Sequence, residues 1–362
     1  MKIGIITFHR STNYGAQLQA YALRRFLELA GHHASLINYW PQYRQDRDRV
    51  FSPTELRELR GAAKLMYLLT RLFTCLRLLK RSRAANAFAT EQLKMEKSGS
   101  YDVVVYGSDQ IWRKFRRRNF NGYDPVYFGR NDILTNRRIT YAASMGPVAF
   151  DSDSDRLFFG QSMKQFNAIS VRETGLQSML DKEFGINAAK VCDPTLLLSS
   201  EEWMDMIDKR YVPSYPYILY YRLNPNTTAD RFVERLSSSK GMRVIEMRGK
   251  IPLFHYASRY RLTAGPQEFL SLLNSAQYVV STSFHGVALS IRLQKQFYFV
   301  SAEKNANRAM SLLTDLGLQH RRVTDWRQHS IEESVNYNNS EEKLNAMIAS
   351  SAQWLLAHLS DK

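Results

Sequence analysis

Met1-Lys2-Ile3-Gly4-Ile5-Ile6-Thr7-Phe8 is a short apolar run that passes at once into a polar loop, His9 to Gly15, and then into Ala16 to Ala30. A run of this length that meets loop residues so abruptly reads as a buried β-strand. Beyond the loop, Ala16, Ala20, Leu23, Leu27 and Ala30 share one helical face, and Gly31 supplies a C-terminal stop. Strand, loop and helix in that order predict the first unit of a parallel α/β sheet.

Working outward, the rhythm repeats. Strands are expected at Ala34–Trp40, Tyr101–Tyr106 (YDVVVY), Arg138–Ser144, Ala168–Arg172 and Lys190–Cys192, with helices near Asp155–Phe166 and Glu201–Asp208. Arg210 to Pro216 then carries two prolines and no periodicity, which marks a boundary. Past it, strands Tyr217–Tyr221, Arg243–Met247, Tyr278–Ser281 and Phe297–Val300 alternate with helices Ala229–Ser237, Pro266–Ser275, Val287–Leu293 and Arg308–Leu316. The expected architecture is α/β, with two Rossmann-like lobes facing a cleft. Residues 1–209 form the first lobe, with a basic helical insert at 53–97. Residues 210–338 form the second, and 339–362 a C-terminal helix that can pack back on the first. In such sheets ligands bind beyond the carboxyl ends of the strands, so the loops after strands are where chemistry is sought.

The bulk composition fits this plan. A chain of 362 residues with 44% hydrophobic content can fill two cores. Cys75 and Cys192 are its only cysteines, too few for a disulfide framework or a zinc site, and they fit a reducing compartment. No signal peptide or transmembrane stretch is read, and a cytoplasmic location is expected. The net charge is +16, which suits an anionic substrate, membrane or nucleic acid. Between Leu59 and Thr90 there is no Asp or Glu, while Arg60, Lys64, Arg71, Arg77, Lys80, Arg81 and Arg83 interleave with leucines at helical spacing. This reads either as a helix packed on the core with a basic rim or as one lying on an anionic membrane surface. Arg113, Lys114, Arg116, Arg117 and Arg118 form a second cluster. Nucleic acid is the weaker partner, since no recognition motif accompanies the charge.

Five post-strand segments carry candidate chemistry. In Phe8–Ala16, Arg10, Asn13, Tyr14 and Gly15 open a helix and can meet an anion or sugar, although Asn13 could simply cap the helix. In Gly107-Ser108-Asp109-Gln110-Ile111-Trp112, Ser108, Asp109 and Gln110 can hydrogen-bond sugar hydroxyls, with Trp112 read as a buried residue. Arg172, at a strand end, offers a fork for carboxylate or phosphate, or else pairs with Glu173. Asp193, before Pro194, reads as a structural turn at the lobe edge first and as a catalytic residue second. Ser281-Thr282-Ser283-Phe284-His285-Gly286-Val287 is the sharpest. His285 has the pKa range for proton transfer, Gly286 permits close approach, and Ser283 and the downstream Arg308 can add contacts.

Taken in order, ITFHRSTNYGAQLQAYAL, YDVVVYGSDQIW, YAASMG, ISVRE, VCDPTLLL, AGPQEFLSLL, STSFHGVALSI and NANRAMSLLTDLG resemble the polysaccharide pyruvyl transferase family over most of the chain. The resemblance implies a GT-B-like fold. It also implies transfer of a pyruvyl group from phosphoenolpyruvate to two hydroxyls of one sugar, forming a ketal and releasing phosphate. An arginine matched by Arg172 and a histidine matched by His285 serve the family site. Many members carry an arginine where this chain has Ser283. The implied acceptor is a cell-surface polysaccharide or its lipid-linked precursor. Phosphoenolpyruvate is the donor substrate and no cofactor or metal is expected. His285, and secondarily Asp109, are the expected acid/base residues. A nucleotide-sugar glycosyltransferase on the same architecture, or a non-enzymatic member of a polysaccharide assembly, are the alternatives.

Overall fold

The computed structural model of the chain describes residues 1–97, 99–117, 119–249, 251, 260–300 and 303–360. Arg118 of the second basic cluster and the last two residues assigned to the C-terminal helix lie outside the described residues.

Five parallel strands form the first sheet, in the order Met95–Glu96, His33–Ile37, Lys2–Ile6, Ser100–Tyr106 and Leu134–Thr140. Parallel bridges from Ile139 to Ala168 and from Ala143 to Val171 extend it toward Ser170–Val171, which pairs with Ala189–Lys190. Val103, Val104 and Val105 are all buried, as a strand covered on both faces requires. From Lys2–Ile6 the chain winds one way through the next two strands and then returns to the other side at Ser100–Tyr106. The order therefore reverses between those two strands, which is where open α/β sheets bind ligands. Ile6 pairs with Tyr106, so the loops that follow leave the sheet side by side.

The second sheet repeats the device with four parallel strands, Arg243–Arg248, Tyr217–Arg222, Tyr278–Ser281 and Gln296–Phe299. Its reversal lies between Tyr217–Arg222 and Tyr278–Ser281, where Tyr221 pairs with Ser281. The two lobes share one apolar core. Tyr14 of the first helix, Tyr14–Leu29, stacks on Phe269 of the second lobe with ring centroids 5.3 Å apart, and meets Tyr221 at 5.8 Å. Arg81 adds a polar tie, donating to the carbonyls of Arg248 (2.8 Å) and Gly249 (3.2 Å) on one side and Thr12 (3.1 Å) on the other. The C-terminal helix, Asn338–Ala357, returns to the first lobe, where Ser351 Oγ accepts from the backbone N–H of Cys192 at 2.9 Å.

Several elements differ from expectation. The basic insert is dominated by one helix of 32 residues, Gly61–Gln92, which packs on the body through Arg81, Ala85, Phe88 and Ala89. The fifth strand spans Leu134–Thr140 rather than starting at Arg138, because an edge position tolerates its polar, half-exposed first residues. Helix Phe284–Arg292 begins three residues before Val287, so His285 lies inside it. Helix Thr174–Phe184 and the antiparallel hairpin of Phe115–Arg117 with Phe120–Gly122 were not anticipated.

Candidate active site

The loops from the two reversal points face each other across a cavity of about 420 Å³. Ser11, Asn13, Asp109 and Gln110 line it from the first lobe, and Asn224, Thr282, Ser283, His285 and Arg308 from the second. Arg44, Arg113, Lys114 and Arg116 add cations, and Asp109 is the one carboxylate among the described lining residues. Such a cleft focuses a positive field on whatever enters.

His285 is 4% exposed, and its Nε2 makes no hydrogen bond among the described residues. That atom lies 3.8 Å from Oδ2 of Asp193, which comes from the first lobe. Gly15 explains how the ring is held. A Cβ at that position would stand 2.2 Å from His285 Nδ1, so glycine alone lets the first helix press against the imidazole. Burial pushes the His285 pKa below the ordinary imidazole value, and Arg172 and Arg308 push the same way against Asp193 and Asp109.

Beneath the histidine lies a buried ionic cluster. Asp193, 1% exposed, accepts from Ser108 Oγ (3.0 Å), from Thr195 N (3.0 Å) and Oγ1 (2.8 Å), and from Arg172 Nη1. Burial alone would raise its pKa, but Arg172, His285 and the Thr195 bonds outweigh that and hold the carboxyl below its usual range. Asp109 is held low in the same way, its burial outweighed by His285, Arg172 and Arg308. Arg172 also donates through Nε to Glu173 at 3.1 Å and lies 4.4 Å over the Phe284 ring, while its buried Nη2 has no hydrogen-bond partner among the described residues. The strand end that carries Ser108 needs Gly107, with φ +134° and no room for a Cβ, which would fall 2.1 Å from the Tyr141 carbonyl oxygen.

Of the residues expected from sequence, His285, Asp109, Gln110, Asn13, Ser283 and Arg308 come together on the cleft. Asn13 is also the helix cap, accepting from Gly15 N at 3.1 Å. Ser108 and Arg172 stand below the cleft wall, and Arg172 is committed to Glu173 and Asp193 rather than presenting its whole fork. Four placements correct the expectation of direct substrate contact. Arg10 turns away from the cleft, its Nε donating to Asn38 Oδ1 at 2.7 Å and its guanidinium 5.1 Å over the Trp40 ring. Tyr14 is 1% exposed inside the interlobe core. Gly15 contacts the His285 ring, and Gly286 abuts Ser281 Oγ, where a Cβ would come to 2.2 Å. Each of these glycines answers a packing demand. Trp112 is fully buried and donates to the Tyr127 carbonyl at 3.1 Å.

Two residues were missed or under-read. Asp193 was read as a turn, yet it joins Arg172, Ser108 and His285; its placement just after a strand, like that of the other candidates, was the available signal. Arg44 lies 3.6 Å over the Phe8 ring and lines the cleft, with a buried Nη1 that has no hydrogen-bond partner among the described residues. Nothing in its local sequence distinguished it from the neighbouring basic residues. Among the described residues no cluster of His, Cys, Asp and Glu could hold a metal ion.

Comparison with solved structures returns likenesses at low identity. The glycosyltransferase SnogD from Streptomyces nogalater is 12% identical with a TM-score of 0.46, over 99% of this chain and 100% of that one. The UDP-GlcNAc 2-epimerase from Neisseria meningitidis, bound to UDP-GlcNAc, is 11% identical with a TM-score of 0.48, over 99% of each chain. The UDP-GlcNAc 2-epimerase from Methanocaldococcus jannaschii is 13% identical with a TM-score of 0.46, over 100% of this chain and 94% of that one. No curated protein matches the sequence. The family model described as polysaccharide pyruvyl transferase matches residues 13–303, a span that begins at the Asn13 cap and takes in Asp109, Arg172, Asp193 and His285. With that match covering most of the chain, the protein belongs to the polysaccharide pyruvyl transferase family.

Proposed function

We propose that the chain transfers a pyruvyl group from phosphoenolpyruvate to two hydroxyls of one sugar, in a cell-surface polysaccharide or its lipid-linked precursor. The observation that carries this reading is the cleft itself: Arg44, Arg113 and Arg308 line it with one carboxylate about a buried histidine set against Asp193, while the other two lining cations, Lys114 and Arg116, are paired with Asp151 and Asp155. A small trianion needs fixed positive charge, and Arg308, Arg44 and Arg113 can supply it. Arg308 lines the same cleft as Ser283, so a guanidinium is present even though the family arginine is not.

The chemistry follows from the histidine. Neutral His285, favoured by burial, takes the proton of the first sugar hydroxyl as that oxygen bonds to the second carbon of the donor. The carbon–carbon π bond opens and its methylene receives a proton, becoming the methyl group. The methylene of an enol phosphate is weakly basic, so the imidazolium formed on His285, with a lowered pKa, is a suitably strong acid to return the proton to it. The second hydroxyl oxygen then displaces phosphate at the same carbon, and its proton leaves with the phosphate. Asp193 and Asp109 stabilise the transient imidazolium, and the Arg172–Ser108–Thr195 contacts hold Asp193 in place. Asp109 is the second candidate base. No cofactor or metal enters this scheme.

We place the chain in the cytoplasm, at the inner face of the membrane where a lipid-linked acceptor would be presented. No described helix is long and apolar enough to cross a membrane. Binding tests the donor assignment directly. Phosphoenolpyruvate should raise the Tm of the wild type and not that of Arg308→Ala with Arg44→Ala. Stabilisation by nucleotide-sugars, with none by phosphoenolpyruvate, would instead support the glycosyltransferase reading.

A further inference from the structure

The long helix Gly61–Gln92 has two faces. Thr74, Arg81, Ala85 and Phe88 are buried, and their spacing puts them on one side. Leu65, Leu69, Leu72, Leu76 and Leu79 follow one another at three- and four-residue steps on the opposite side. That stripe points away from the protein. Leu65 is 59% exposed, Leu72 63% and Leu76 71%, and the flanking Met66 and Phe73 are 60% and 68% exposed. Isolated exposed leucines need no explanation, but a continuous stripe marks an interaction surface.

Charge selects the occupant. Lys64, Arg71, Arg77, Lys80 and Arg83 flank or interrupt the stripe, and no acidic residue lies between Leu59 and Thr90. Arg71 reaches Glu55 only at 3.6 Å. Two such helices laid against each other would bring like charges together, so a second copy of the chain is disfavoured. An apolar stripe edged with cations matches the boundary between acyl chains and anionic headgroups.

Beside the stripe, a groove of about 400 Å³ runs between this helix and the first lobe. Arg10, Trp40, Arg49, Ser82 and Asn86 line it, with Leu79 of the stripe at its edge, and no described carboxylate lines it. Among the described residues the Arg10 guanidinium makes one hydrogen bond, from Nε to Asn38, and its terminal nitrogens make none. Trp40 Nε1 has no hydrogen-bond partner among the described residues. Ser11 lines both this groove and the cleft, so one loop separates them.

We infer that the exposed face of helix Gly61–Gln92 docks on an anionic phospholipid bilayer, with Arg10 and Arg49 receiving a lipid phosphate in the adjoining groove. The residue expected from sequence to bind substrate in the cleft thus serves a neighbouring site. On the reading proposed above, a sugar carried on such a phosphate would enter the cleft past Ser11. Docking itself is independent of the donor chemistry, so flotation and phosphate release fail separately.

The test is flotation of the full chain with phosphatidylglycerol-containing vesicles and with phosphatidylcholine vesicles. The wild type floats with the former and at least about tenfold less with the latter. Leu72→Ser, Phe73→Ser and Leu76→Ser combined abolish flotation while leaving Tm unchanged, since all three side chains are exposed. Arg10→Gln with Arg49→Gln keeps flotation but weakens the preference for phosphatidylglycerol about tenfold or more, the helix cations supplying what remains. The inference is overturned if the wild type does not float, or if the triple variant floats equally well. A stable dimer by light scattering that the triple variant dissociates would also overturn it, by making the stripe a self-association face. An undiminished lipid preference in the arginine variant would overturn the phosphate assignment.

Discussion

Replacing Gly15 with alanine isolates the contact that fixes His285. The added Cβ would stand 2.2 Å from Nδ1, 2.4 Å from Cγ and 2.6 Å from Cβ of the histidine. Ordinary contact begins near 3.4 Å, so the ring or the helix must move by about 1 Å. The ring is wedged between this helix, Asp193 and Phe284, whose ring centroid is 5.2 Å away, so it cannot retreat without opening the interlobe seam. Overpacking of this kind costs about 1–3 kcal/mol, a fall in Tm of roughly 1–4 °C for a chain of this length. A displacement of about 1 Å in a proton-transferring group costs on the order of a hundredfold in rate. The assay combines a thermal melt, the imidazole resonances of His285 followed through a pH titration, and turnover of phosphoenolpyruvate. Expected are a lowered Tm, a His285 pKa moved back toward the ordinary value as the seam admits water, and a rate loss of roughly a hundredfold. Wild-type Tm with an unmoved His285 titration would refute the packing argument, whatever the chemistry proves to be.

Other expectations follow from the buried charges. Asp193→Asn leaves Arg172 short of a partner and should cost about 3 kcal/mol in urea unfolding. The Asp193 carboxyl is depressed in the folded state, so its contribution is full above its unfolded pKa of about 4 and is lost as pH falls through the folded value. The variant should therefore show a shallower acid loss of stability; an unchanged acid limb would exclude Asp193 from it. His9, buried with Nδ1 donating to the Thr7 carbonyl at 2.9 Å, has its pKa lowered to about 4, chiefly by burial. It favours the folded state fully above about 6.5, and that gain, up to roughly 3 kcal/mol, is lost as pH falls from there toward 4. Its resonances should titrate near 4, and titration near 6.5 would contradict the assignment. Arg44→Gln should raise KM for phosphoenolpyruvate about tenfold with a smaller change in kcat; an unchanged KM removes Arg44 from the donor site.

How much of this was legible in the sequence depended on the range of each interaction. The strand at Lys2–Ile6 and the YDVVVY strand announce themselves, because a parallel strand buried on both faces must be a continuous apolar run. The loops after them stand out for the same reason, and with them Asn13, Asp109 and Gln110, while His285 follows the second-lobe strand Tyr278–Ser281 in the same way. Asp193 was under-read because its partners lie 21 residues away at Arg172, 85 at Ser108 and on the opposite lobe at His285. Arg10 was assigned to the cleft because sequence places a residue in a loop without saying which side of the loop it faces. Gly15 was read as meeting an anion or sugar and Gly286 as letting a ligand or a second backbone come close; the neighbours both admit belong to the protein itself. The basic helix was readable as amphipathic, but only its packing shows that the face carrying Thr74, Arg81, Ala85 and Phe88 is the buried one and that the leucine stripe lies opposite, exposed.

The central claim is a histidine-dependent pyruvyl transfer in the positive cleft. Phosphate release from phosphoenolpyruvate, measured with a panel of lipid-linked and nitrophenyl hexosides for the wild type beside His285→Ala, tests it most directly. The account predicts release that requires an acceptor and vanishes in the variant. Release that persists in His285→Ala, or none with any acceptor together with no thermal shift by phosphoenolpyruvate, would contradict it.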